Sequence, residues 1–294
     1  MVNVWEPLKK ISFKFFGRTL EPFVGYFESI KPDLLKANMG FSLTEYIYVM
    51  FLMMLILFVV EFPFLVIIMS MIFRTAALAF LFSFTITIVI LLIMFFVFYT
   101  YPSMLSNRRK VNIDSALPFA ATYMGTIASS GSSPVTMFKV LSEFEDYGEV
   151  SKEAKKIYRD VEAFGMDLVS SIRKTASRTP SEELKELLWG LDTVITGGGN
   201  LGDYLHEKSR LFIAEYRRRL ERFSRTLSLL TEIYLTIVLV GSIFFIIMTA
   251  LMAIIGGGEL VLTMTFIQFL IIFALLPLVS IGFIILLKTI SPSA

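Results

Sequence analysis

The chain has 294 residues, of which 55% are hydrophobic and 18% charged, with a mean hydropathy of +0.72. An ordinary soluble domain is about 45–50% apolar even with glycine counted, so this composition excludes a plain cytosolic enzyme. The absence of cysteine and the single histidine, His206, exclude a disulfide framework, a thiol nucleophile and a multi-histidine metal site, and a net charge of +2 is too balanced for a nucleic-acid binder.

Residues 1–45 read as a polar, amphipathic N-terminal segment without a cleavable signal peptide. Residues 46–100 carry two apolar stretches, about 46–73 and 76–99, each long enough to cross a bilayer. Glu61 and Pro63 interrupt the first, and Arg74 is the only charge in the link between them. A polar block follows over residues 101–230, and two more apolar stretches, about 233–255 and 262–287, occupy residues 231–294. Gly256-Gly257-Gly258-Glu259 joins that second pair. The spans must be helices, because lipid offers their backbone no hydrogen bonds and no alternating strand pattern is present.

Of the 27 Lys and Arg, Arg74 alone falls in a link between spans. The positive-inside rule therefore places both termini and the polar block in the cytoplasm, with two hairpins hanging from the far side of a cell membrane.

The block reads as six helices. Spacing and punctuation predict them from Asp114 to Ser129, from Pro134 towards Gly148, from Ser151 to Phe164, from Asp167 to Arg178, from Pro180 to about Val194, and from about Leu201 onward. Gly131, Gly165, Gly198, Gly199 and Gly202 supply the turns, Pro134 suits a first helical turn, and Thr179-Pro180-Ser181-Glu182 has the capping-box pattern with Pro180 as first helical residue. No breaker separates Asp203 from Ile255, so the sixth helix is expected to continue into the third span as a stiff link. The fold class is therefore an all-α integral membrane protein: four spans in two hairpins plus a cytoplasmic six-helix bundle.

Catalytic motifs are thin. Gly197-Gly198-Gly199-Asn200-Leu201-Gly202 satisfies G-x-G-x-x-G, but helix precedes it where a dinucleotide site needs a strand. Ser171-Ile172-Arg173-Lys174 matches S-x-x-K on a charged helix face without partner motifs, and no phosphate-binding P-loop occurs. His206, between Glu207 and Lys208, reads as an exposed helix position.

Three features carry more. Glu61 sits near mid-span, where a carboxylate is costly; Arg74, roughly 20 Å along a helix, is too far to neutralise it. It is either a protonated acid hydrogen-bonded inside the bundle, with Ser83, Thr85, Thr87, Ser242 and Gln268 as available partners, or a contact for a substrate or partner helix. Glu232 marks the entry to the third span near Arg222 and Arg225, as an interfacial anchor or a partner contact. The clusters Arg108, Arg109, Lys110 and Arg217, Arg218, Arg219, Arg222, Arg225 lie beside the membrane and suit anionic lipids or an acidic partner.

Read together, Tyr101-Pro102, Asn107-Arg108-Arg109-Lys110, Ile113-Asp114-Ser115-Ala116-Leu117-Pro118, Ser130-Gly131, Gly165-Met166-Asp167-Leu168, Gly198-Gly199-Asn200-Leu201 and Glu232 resemble, in order and spacing, a known family. It is that of the platform proteins of type II secretion, type IV pilus and archaeal flagellum (archaellum) machines. The segment from Lys36 to Tyr46 resembles archaeal members. The resemblance implies a membrane platform without enzymatic activity or cofactor. Its implied partners are a hexameric secretion ATPase, pilin-like subunits, and a second copy or sister platform subunit, since many members carry two bundles and this chain has one. From the residues alone, a transporter or channel subunit built around Glu61 is the alternative.

Overall fold

A computed structural model describes residues 5–17, 20–73, 75–255, 263 and 266–290. Arg74 and the glycine link at 256–259, both used above, lie outside them. The chain separates into two compact units, Met1–Lys208 and Ser209–Ala294. Among the described residues all regular structure is helical, and four helices are long and apolar enough to cross a membrane.

The first unit begins with α1 (Trp5–Phe16), a 3-10 stretch (Glu21–Ile30) and α2 (Lys31–Ala37). Ile30 and Leu34 bury themselves against Tyr46, with Phe27, Met39, Phe41, Leu43 and Phe98 around them. Asn38 ends α2 at φ 54°. α3 (Leu43–Ile72) then starts on a complete capping box: Glu45 N donates to Ser42 Oγ at 3.2 Å and Ser42 N to Glu45 Oε2 at 2.9 Å. α3 continues through Pro63 to Ile72.

α4 (Ala76–Ser129) is the second span and the first helix of the polar block in one piece of 54 residues. The expectation of a new helix at Asp114 is therefore corrected. Tyr101-Pro102 looks like a stop in the sequence because proline has no amide hydrogen and leaves the carbonyl four residues back without its donor. Here that carbonyl, Phe98 O, accepts a hydrogen bond from Tyr46 Oη at 2.7 Å, so the neighbouring helix supplies what Pro102 lacks. Along the α3–α4 contact, α4 presents the small buried residues Ala79, Ser83 and Thr87.

Past the membrane-spanning part, α4 packs α5 (Pro134–Glu143), α6 (Glu149–Glu162) and α8 (Glu182–Gly197), while α7 (Leu168–Ala176) lies against α6 and α8. The core is apolar at the helical spacing expected: Ile113, Leu117, Ala120 and Ala121 from α4, Met137 and Leu141 from α5, Ile157, Ile172, Leu187 and Leu191 from the rest. The second helix, expected to run towards Gly148, stops at Glu143; Phe144 is its C-terminal cap, 41% exposed and edge-on to Tyr123. Glu145–Tyr147 form a 3-10 turn. Pro180 precedes rather than begins α8, because Ser181 is the N-cap, accepting from Leu184 N at 3.0 Å.

α9 runs over Leu201–Ile255 without a break, as expected. In the second unit it is followed by a helical stretch from Phe266 that includes a π-helical segment (Ile271–Leu275) and α10 (Leu276–Ile290). Tyr234 stacks on Phe283 at 4.4 Å between ring centres and sits 2.8 Å from Ser280 Oγ. The apolar faces here are open, with Ile237 63% and Val240 61% exposed. That is a poor arrangement in water and an ordinary one in lipid.

Candidate functional site

The turns come first, because they aim the helices. Gly131, Gly165 and Gly198 have φ of 78°, 64° and 68°, the left-handed region that side chains disfavour. Ser133 caps α5 ahead of Pro134, and Asn200 Oδ1 accepts from Gly202 N and Asp203 N, capping α9. Gly202 has a further reason to be glycine: a Cβ there would come within 2.7 Å of Ser129 Oγ at the end of α4. At Gly125 a Cβ would press on His206 at 3.2 Å, and His206 Nε2 lies 3.1 Å from Ser129 Oγ. His206 is thus a packed residue at the α4–α9 contact, which corrects its reading as an exposed position. Gly199, by contrast, is an ordinary turn residue beside Val194.

The motif around Asp114 is likewise a fastening. Ile113, Leu117 and Pro118 are buried, and Ser181 Oγ donates to Asp114 Oδ1 while also capping α8. One hydroxyl therefore joins α4 to the start of α8.

The basic cluster after the second span divides. Arg108 and Lys110 are exposed, but Arg109 is 7% exposed and turned inward. Its Nε donates to Glu149 Oε2 at 2.7 Å, and its other guanidinium nitrogens to Glu153 Oε1 and to Lys36 O at the end of α2. Lys156 also reaches Glu153 at 2.9 Å. Burial alone would raise the Glu149 carboxyl, but hydrogen bonds from Lys152 and Arg109 outweigh it and hold it below the usual carboxylate range. Arg109 is therefore a lock between α2, α4 and α6, with each of its three nitrogens bonded within the unit.

Glu61 has the opposite situation. Both carboxyl oxygens are buried and have no hydrogen-bond partner among the described residues. The register of the hairpin follows from Phe62, whose ring meets Phe80 and Phe84, so Glu61 is level with Ser83. The hydroxyls proposed as its partners donate to their own helices instead: Ser83 to Ala79 O, Thr85 to Leu81 O, Thr87 to Ser83 O and Ser242 to Val238 O.

In the second unit, Glu215 gathers the basic run, with Arg222 at 2.9 Å, Arg218 at 3.1 Å and Arg219 at 3.7 Å. Arg217 and Arg225 are exposed and make no ion pair among the described residues. Glu232 is exposed on a groove of α9 shared with Ser228, Thr231, Leu235, Thr236 and Leu239; Arg222 turns to Glu215 rather than to it. Among the described residues no three His, Cys, Asp or Glu side chains gather as a metal site.

Comparison with known proteins falls on the same region. Residues 120–249 match the family model of the type II secretion system protein F. An uncharacterized protein of Methanocaldococcus jannaschii is 27% identical over 134 residues, 46% of this chain and 22% of that protein. Flagella accessory protein J of the same organism is 28% identical over 137 residues, 46% of this chain and 24% of its own length. Its namesake in Methanococcus voltae is 27% identical over 145 residues, 49% of this chain and 26% of its own. The chain thus spans about a quarter of the length of these curated relatives. No solved structure matches it significantly.

Proposed function

Since the chain carries a type II secretion system protein F domain and is related to the archaeal flagella accessory protein J, we propose that it is a non-catalytic, multi-pass platform protein of the cell membrane. It serves a type IV pilus, archaellum or type II secretion machine and couples a cytoplasmic secretion ATPase to the insertion or extraction of pilin-like subunits. The observation that carries this reading is the position of the matched segment: it begins within α4, a helix that is also a membrane span. A helix is stiff on this scale, and 54 residues extend about 80 Å. Movement imposed on the polar end of α4 is therefore felt at its apolar end.

In this reading both termini and residues 101–230 face the cytoplasm, supported by the distribution of Lys and Arg. Residues 46–100 and 231–294 form the two hairpins. Arg108, Lys110, Arg217 and Arg225, free of ion pairs among the described residues, are the contacts we assign to the ATPase or to anionic lipid. A second copy or a sister subunit completes the platform. The decisive experiment is affinity purification of the tagged full chain from its native membrane. A co-purifying secretion ATPase is the expected result. A deletion strain that still assembles its filament or secretes normally overturns the reading.

The unpartnered Glu61 oxygens favour one alternative, a transporter or channel subunit built around that acid. Glu61→Gln separates the two: it abolishes transport in the alternative and leaves filament assembly intact if the charged form is dispensable.

A further inference from the structure

A cavity of about 440 Å³ lies in the first unit at the base of the α3–α4 hairpin, within the roughly 300–1,000 Å³ usual for small-molecule pockets. Phe41, Tyr46, Val49, Met94, Val97 and Leu105 line it. Its single buried hydroxyl, Tyr46 Oη, already donates to Phe98 O, which leaves a lining suited to hydrocarbon. A whole helix, about 10 Å across, is too wide for a space of this volume, whereas a single hydrocarbon chain is not.

The rim is not neutral. Met94, Phe98, Tyr101 and Leu105 follow one stripe of α4 at spacings of three and four residues, and Arg108 is the next position on that stripe. Arg108 is exposed and makes no ion pair among the described residues. On the opposite rim Lys9 lies 4.3 Å above the Phe41 ring and 3.3 Å from Glu45, so its charge is already balanced. Tyr99 and Tyr101, 40% and 48% exposed, mark this level as headgroup depth, where tyrosines collect. An apolar slot that reaches headgroup depth, with the unpaired Arg108 next along its stripe, has the shape and charge to take a phospholipid.

We propose that this cavity holds one hydrocarbon chain of an anionic membrane lipid, whose phosphate rests on Arg108. The site joins α3, α4 and the turn after α2 through a lipid, so it is filled only where such lipids are present. It requires that α3 and α4 lie in the bilayer; it does not depend on the platform reading, and loss of ATPase binding or filament activity leaves it standing.

The test uses the full chain, purified in detergent and stripped of lipid, then offered phosphatidylglycerol or phosphatidylcholine and examined by native mass spectrometry. One tightly retained phosphatidylglycerol is expected, at least fivefold favoured over phosphatidylcholine. Val97→Trp, which fills the cavity from an exposed position, should lower retention at least tenfold, and Met94→Trp gives a second filling from the same stripe. Arg108→Glu should remove the preference for phosphatidylglycerol. Lys110→Glu, the same charge change off the stripe, should leave retention within twofold. Wild-type retention in both filled variants, or equal effects of Arg108→Glu and Lys110→Glu, overturns the proposal.

Discussion

The two basic clusters look alike in sequence and differ in physics. In the first unit, Arg109 is enclosed and meets Glu149, Glu153 and the Lys36 carbonyl at once. In the second, Arg218, Arg219 and Arg222 share the partly exposed Glu215 in water. A buried charge that loses its partner is left desolvated, whereas an exposed one turns to solvent. The same residue type is therefore part of the fold at Arg109 and a solvated surface pair around Glu215.

This contrast can be broken in graded steps. The largest effect is expected from Arg109→Ala, which leaves buried Glu153 with Lys156 as its remaining ion-pair partner and Lys36 O without its donor, and should cost up to about 3–5 kcal/mol, read as a fall in the unfolding midpoint of the solubilised protein. Exchanging Arg109, Glu149 and Glu153 together for apolar residues of similar size should recover much of that loss, since no buried charge is then left alone. The hydroxyl fastening between α8 and α4 ranks next. Ser181→Ala removes both the α8 cap and the partner of Asp114, for about 1–2 kcal/mol by denaturant unfolding.

Acid provides a milder probe. The Glu149 carboxyl is held below its ordinary range, so its contribution is complete above the unfolded value of about 4.3 and is lost as pH falls through the lower folded value. Glu149→Gln should flatten that acid limb of the stability curve. The smallest effect belongs to the second cluster: Glu215→Gln should change stability by less than about 1 kcal/mol, and added salt should shrink even that.

Much of this was legible beforehand, for identifiable reasons. Four spans and the sixth helix's passage into the third follow from long runs of one character, and the caps at Ser133 and the glycine turns follow from local chemistry. The capping box of Ser42 and Glu45 is equally local, written in four residues ahead of the apolar run. What sequence could not show was pairing across the fold. The Phe98 carbonyl that Pro102 leaves without a donor is met by Tyr46, 52 positions away. The burial of Arg109 depends on Glu149 and Glu153, 40 and 44 positions on. His206 reads as exposed between two charges until Gly125 and Ser129 are placed against it.

The phenol of Tyr46 has a mechanical consequence. Proline normally makes a helix a place to bend, since one rung of its ladder is missing. In α4 the donor that Pro102 lacks comes from α3, so the phenol ties the second span to the first one turn ahead of the proline. The carbonyl that a proline normally leaves bare thus becomes a fastening between two membrane helices, and the weak rung of α4 sits next to the point where α4 is held by its neighbour.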